Sequence, residues 1–163
     1  MTYDRRTLLT TAGIGAVAMT VACSPSASGA APGKFEFTLT DAEWKARLSP
    51  AAYQTLRHGS TEYPGTSPLN KEHRAGTFLC AGCALPLYSS ATKFESGTGW
   101  PSFWQPLPNA VITRNDSTLG FGRTEVLCRR CGGHLGHVFD DGPQPTGKRY
   151  CMNGVAMTFR PKA

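Results

Sequence analysis

Six cysteines carry most of the chemistry open to this 163-residue chain. Four form two C-x-x-C turns, Cys80-Ala81-Gly82-Cys83 and Cys128-Arg129-Arg130-Cys131, each after a β-prone run. A tight turn of this length aims two thiolates at one point. Two such knuckles supply four sulfurs in a tetrahedron, the closed arrangement of a structural Zn²⁺, with no ligand position left for a substrate. One such zinc per chain would brace the fold and contribute folding energy directly. Two other uses of paired cysteines stay open. One is a redox C-x-x-C, usually single and beside a βαβ pattern; the other is a set of disulfides, which an exported protein can keep.

Cys23 belongs to the N-terminal region discussed below, which leaves Cys151, in Lys148-Arg149-Tyr150-Cys151-Met152-Asn153-Gly154. On a strand, alternation puts Arg149, Cys151 and Asn153 on one face and Tyr150 and Met152 on the other. A guanidinium two residues away favours the thiolate, which is the nucleophilic form. Asn153 offers an amide to a polar oxygen. A lone cysteine is also commonly a buried, inert thiol; the polar companions on this face argue for a reactive one.

His134-Leu135-Gly136-His137-Val138-Phe139 lies just upstream. Histidines three apart in an extended chain point to opposite faces, but Gly136 permits a kink that turns both inward. Histidine is the proton donor suited to neutral pH. A second metal site and ordinary hydrogen-bonded histidines are the alternatives. His58 and His73 sit in turn-rich segments and are expected at the surface. Gly97-Thr98-Gly99-Trp100-Pro101-Ser102-Phe103-Trp104 packs aromatics into a Gly/Pro loop, either as the wall of a small apolar pocket or as core beneath a loop.

The elements that position these groups are short. With 18 glycines and 12 prolines, turn chemistry argues against a helical bundle and for short strands joined by loops. A hydrophobic content of 40% with 17% charged residues excludes a disordered polyelectrolyte and an integral membrane protein. Thr40 followed by Glu43 predicts a capped helix start, and Ser49-Pro50 predicts a second helix ending by His58-Gly59. Trp44, Leu48, Tyr53 and Leu56 form their apolar side. After Ala75 come β-prone pieces at 77–79, 86–88, 110–113, 124–127, 137–139 and 149–159, punctuated by Gly or Pro. The fold expected is mainly β and antiparallel, with short N-terminal helices and the four-cysteine zinc site.

The first 22 residues read as an export signal: Arg5-Arg6, then an uncharged, mildly apolar run too short to span a bilayer. The paired arginines suggest the twin-arginine route. Thr20-Val21-Ala22-Cys23 resembles a bacterial lipoprotein cleavage box, with Cys23 as the lipidated first mature residue; plain cleavage near Ala22 is the alternative. Residues 23–37 are assigned to a flexible linker and 38–163 to the catalytic domain. The net charge of +6 falls to +5 once two arginines and one aspartate leave with the signal. That modest excess predicts no nucleic-acid partner. The expected location is the bacterial cell envelope, outside the cytoplasm, with membrane contact only through the lipid.

The two knuckles, Ser96 to Phe103, His134 to Phe139, Asp141 to Gly147 and Arg149 to Asn153, in this order, resemble the methionine-R-sulfoxide reductase B family over roughly residues 38–160. That resemblance implies a β-tent of two antiparallel sheets with zinc away from the active site. It implies Cys151 as the nucleophile on the sulfoxide sulfur, His134 and His137 as proton donors helped by Asn153, and Arg149 with Asp141 organising the thiolate. It implies Trp100 against the S-methyl group, with Phe139 completing the pocket. Oxidised proteins or peptides are then the substrates, and a sulfenic acid on Cys151 the first product. Many relatives carry a resolving cysteine in the Gly-x-Gly-Trp-Pro-Ser-Phe loop, where this chain has Thr98. The expectation is therefore a monomeric one-cysteine enzyme regenerated by a thioredoxin-like protein or a small thiol. A non-catalytic zinc-knuckle binding module and a disulfide oxidoreductase are the competing readings.

Overall fold

The computed structural model describes residues 35–117 and 122–163; the export signal, Cys23 and the linker up to residue 34 lie outside the described residues. Helix α1 (Asp41–Arg47) begins where the Thr40 side chain accepts the Glu43 N–H and the Glu43 carboxylate accepts the Thr40 N–H, a reciprocal cap. Helix α2 (Pro50–His58) is capped by Ser49 and ends at Gly59 in the left-handed region. Trp44, Leu48, Tyr53 and Leu56 are all buried, as their spacing predicts. The helices lie on the two cysteine knuckles: Arg47 Nε donates to the Gly82 carbonyl (2.6 Å) and Arg57 Nη1 to the Cys131 carbonyl (3.1 Å). No described helix is long and apolar enough to cross a membrane.

The strands form two antiparallel sheets. The small sheet runs β2 (Pro86–Ser89), β1 (Gly76–Cys80), β9 (Met157–Pro161). The large sheet runs β3 (Lys93–Phe94), β4 (Ser102–Phe103), β8 (Arg149–Met152), β7 (His134–Phe139), β6 (Arg123–Cys128), β5 (Val111–Asp116). Phe78, Leu87, Tyr88, Phe103, Val126, Leu135 and Met152 are fully buried. Tyr88 stacks on Phe103 at 4.3 Å, and its hydroxyl donates to Met152 Sδ at 3.1 Å. One face of β8 is thereby locked into the core, which commits the other face, with Cys151, to the site.

Three expectations need correcting. The run 149–159 is not one piece: β8 belongs to the large sheet and β9 to the small one, with a 3₁₀ turn (Gly154–Ala156) at the crossing. Gly154 sits at that crossing because a Cβ there would overlap the Ser67 hydroxyl. The aromatic loop contains β4, two residues long, too short for any periodic signal. Residues 35–37, grouped with the linker on composition, are held by the domain: Phe37 N–H donates to the Arg130 carbonyl (2.9 Å), and its ring meets Trp44 edge-on at 5.7 Å.

Candidate active site

Cys151 lies in β8 between two strands, with Ser102 of β4 as its partner on one side and His137 of β7 on the other. Residues directly opposite in an antiparallel pair share a face. His137 therefore comes from the strand beside the thiol. His134 joins it through a β-bulge: Leu127 pairs with His134 but Val126 pairs with Gly136, so Leu135 is an extra residue. One inserted residue converts a spacing of three into a shared face, and the two imidazole rings stand 5.3 Å apart. Gly136, at φ 153°, allows β7 to close on β8; a Cβ would overlap the Cys151 carbonyl oxygen.

Cys151, Asn153, His137, Trp100 and Phe139, all singled out in the sequence, line one cleft of about 140 Å³ together with Thr61 and Arg123. A cavity of ~150 Å³ admits a benzene-sized group, so this one suits the end of a side chain rather than a whole residue. Trp100 Nε1 donates to the Glu62 carbonyl at 3.1 Å, which fixes the indole. The Arg149 guanidinium lies 4.5 Å from the Phe139 ring centre and makes a two-pronged bond to Asp141 (2.9 and 2.8 Å). Asp141 itself is exposed and outside the cleft, in contact with Arg149.

Burial pushes the Cys151 thiol above its ordinary range, although the Thr98 hydroxyl, the Arg149 charge and the Ser102 hydroxyl all favour the thiolate. The expected ionised cysteine is thus a neutral thiol at rest, because desolvation outweighs the guanidinium. Burial likewise depresses His137, aided by the Arg123 charge and opposed by Asp116, so the imidazole rests neutral. Behind the sulfur runs a chain of hydroxyls: Ser102 Oγ to Ser96 Oγ (2.7 Å), Ser96 Oγ to Thr98 Oγ1 (2.8 Å), Thr98 Oγ1 to Cys151 Sγ (3.8 Å).

Two carboxylates missing from the sequence reading orient the histidines. Glu125 Oε1 lies 2.7 Å from His134 Nδ1 and the same carboxylate also binds Arg114; Asp116 Oδ2 lies 2.9 Å from His137 Nε2 and 2.7 Å from Arg123 Nη2. Burial raises the Glu125 carboxyl, but His134 and Arg114 outweigh it and the net shift is downward. An ionised carboxylate only accepts, so His134 carries a proton on Nδ1. His134 Nε2 is buried without a hydrogen-bond partner among the described residues. Both histidines line a wider adjoining cavity of about 790 Å³ that includes Arg57, Arg114 and Asn115. The available signal was Glu125 itself: a charged residue in a buried strand needs a partner. His58 and His73 are exposed, as expected.

The four knuckle sulfurs all lie within 4.8 Å of one another, with Cys80–Cys131 at 3.7 Å and Cys83–Cys128 at 3.5 Å. Zn–S bonds of ~2.3 Å make a tetrahedron with edges of about 3.8 Å, so the donor set fits one zinc. Both knuckles use the same turn: the residue after the second cysteine, Ala84 or Gly132, has positive φ and returns its N–H to the first cysteine's carbonyl at 2.8 Å. Cys80 ends β1 and Cys128 ends β6, so the site ties the small sheet to the large one. None of the five described cysteines is in a disulfide.

Residues 48–161 match the SelR domain family. The chain belongs to this family, the methionine sulfoxide reductase B family that the motifs resemble. Three curated relatives, each named peptide methionine sulfoxide reductase MsrB, illustrate it. The Leptospira interrogans protein is 50% identical over 127 residues, 77% of this chain and 97% of that protein. The Thiobacillus denitrificans protein is 53% identical over 76% of this chain and 94% of its own. The Leifsonia xyli protein is 48% identical over 82% of this chain and 97% of its own. As a SelR-domain protein the chain has its matched region running from the end of α1 through β9, which includes every described candidate residue.

Proposed function

We propose that this protein reduces methionine-R-sulfoxide in proteins and peptides to methionine, with Cys151 as nucleophile. The observation that supports this most directly is the cleft in which Cys151 faces an aromatic wall of Trp100 and Phe139, with His137 on the adjacent strand. The S-methyl group lies against Trp100, and Asn153 holds the sulfoxide oxygen. Neutral His137 takes the thiol proton and passes it to the sulfoxide oxygen, so that the thiolate forms as that oxygen becomes protonated. The Cys151 sulfur attacks the sulfoxide sulfur. The S–S bond forms, and the oxygen, given a second proton by His134, departs as water. That water attacks the Cys151 sulfur, the S–S bond breaks, methionine leaves, and the proton returns to His134. In sum, a thiol and a sulfoxide become a sulfenic acid and a thioether.

The sulfenic acid then condenses with an external thiol, releasing water, and a second thiol frees Cys151. A thioredoxin-like protein or a small thiol serves, because Thr98 cannot act as a resolving group. The four-cysteine site takes one structural zinc and plays no part in these steps. We also propose a monomer exported by the twin-arginine route and anchored through a lipid on Cys23. Cys23→Ala then moves the protein from the membrane to the soluble envelope fraction, and an unchanged distribution overturns the anchor.

Reduction of the separated sulfoxide epimers with dithiothreitol tests the activity. Wild type consumes the R epimer and leaves the S epimer, while Cys151→Ser consumes neither. A folded, zinc-loaded wild type that turns over neither epimer overturns the proposal.

A further inference from the structure

Glu62 is a half-buried carboxylate that the reaction above does not use. It lies in the irregular segment between α2 and the next 3₁₀ turn (Pro68–Lys71), and it touches the site at both its backbone and its side chain. Its backbone N–H donates to Asn153 Oδ1 (3.0 Å), and its carbonyl accepts Trp100 Nε1 (3.1 Å). Its carboxylate reaches across to the turn after the nucleophile, where Oε1 accepts the Gly154 N–H and Oε2 the Val155 N–H, the latter at 3.1 Å.

Asn153 occupies the N-cap position of that 3₁₀ turn but makes no capping bond. Asparagine is among the preferred N-caps, because its side-chain oxygen satisfies the free N–H groups of the first turn. Here those N–H groups are taken by Glu62. The Asn153 side chain is released to other work: it accepts from Glu62 N, donates Nδ2 to the Leu135 carbonyl (3.2 Å), and lines the cleft beside Cys151.

We infer that Glu62 is a positioning residue of this active site: by capping the 154–156 turn in place of Asn153, it holds the Asn153 amide in the cleft. The inference rests on the reductase reading for its consequence in activity, although the geometry can be tested without turnover. Without the Glu62 carboxylate, the uncapped N–H groups compete for the Asn153 oxygen, the acceptor that an N-cap asparagine ordinarily supplies. The amide then swings away from the substrate oxygen while Cys151 stays in β8. Glutamine is a poor substitute, since its amide presents one acceptor and one donor to two donors.

The test is a double-mutant cycle of E62Q and N153A on the zinc-loaded protein with the R-epimer peptide. E62Q lowers kcat/KM by about tenfold or more in the wild-type background but by less than ~2-fold when Asn153 is already alanine. Alkylation of Cys151 by iodoacetamide keeps its wild-type rate in E62Q, which separates positioning from general disruption. The Asn153 side-chain amide resonances shift in E62Q, and this readout stands whether or not wild type reduces sulfoxides. Should E62Q not fold, E62D, which keeps the charge but not the reach, enters the same cycle. Equal losses in both backgrounds, no loss in either, or an unmoved Asn153 amide overturns the inference.

Discussion

The Thr98 hydroxyl lies 3.8 Å from the Cys151 sulfur, at the end of a hydroxyl chain that continues through Ser96 to Ser102. A hydroxyl at this place can donate to the sulfur but cannot displace the oxygen of a sulfenic acid. A thiol there can. In wild type, single turnover without reductant is therefore expected to leave Cys151 as a sulfenic acid, trapped as a dimedone adduct and seen by intact mass. Thr98→Cys loses that adduct and gains an internal disulfide, recorded as a loss of two hydrogens. An internal disulfide in wild type, which only Cys23 could supply outside the zinc set, would contradict this account.

Cys151 is held neutral by burial against the pull of Arg149, and the balance has a measurable sign. A positive charge favours the thiolate, so removing it raises the thiol further. The rate of Cys151 alkylation against pH is expected to have its midpoint above that of an ordinary thiol. In Arg149→Gln the curve moves to still higher pH, and the rate at neutral pH falls several-fold, about tenfold for each full unit of displacement. A curve that moves downward would mean that the Asp141–Arg149 pair acts on the sulfur with the opposite sign.

What was legible in the sequence was local. The Thr40–Glu43 cap, the Ser49-Pro50 start and the Gly59 stop are each written within a few residues, and both helices formed where those signals lie. The two knuckles are four-residue objects with the same cysteine spacing, and both close with the same turn. What escaped depends on register. The inward turn of His134 and His137 was legible at Gly136, but its cause was not: Leu135 bulges out of the β6–β7 ladder, a fact of pairing that no single strand contains. Asp116 meets His137 from 21 residues away, two strands across the sheet. Ser102–Phe103 makes a strand only because β3 and β8 lie on either side of it. The neutral state of Cys151 was also hidden, since the sequence displays the neighbouring arginine but not the depth of burial.

The carboxylate behind each histidine gives a third prediction. Asp116 accepts from His137 and Arg123, and its charge works against the burial that depresses the imidazole. Asp116→Asn keeps the shape but removes that support, so His137 becomes a weaker base and its orientation loosens. The expected result is a fall in kcat of about tenfold or more with KM nearly unchanged, because the aromatic wall is intact. The acid limb of the kcat profile, if set by His137 protonation, moves to lower pH, since the neutral form is then favoured further. A change confined to KM would assign Asp116 to substrate binding instead.

The four-cysteine site gives the fourth, because Cys80 and Cys128 close strands of different sheets. Four buried thiolates brought within 4.8 Å repel one another unless a cation neutralises them. Without metal, the protein must either protonate them or let the knuckles part, and α1 and α2, which lie on those knuckles through Arg47 and Arg57, lose their seat. Cys83→Ser, or exhaustive chelation after mild denaturation, is expected to lower Tm by ~10 °C or more, given the several kcal/mol a structural zinc contributes. Metal analysis of the intact protein should return one zinc per chain. Activity in the partly stripped protein should fall in proportion to the folded fraction, with KM constant, because Cys151, the proposed nucleophile, is not one of the four knuckle sulfurs. A Cys83→Ser protein that melts like wild type would remove the metal from the account of this fold.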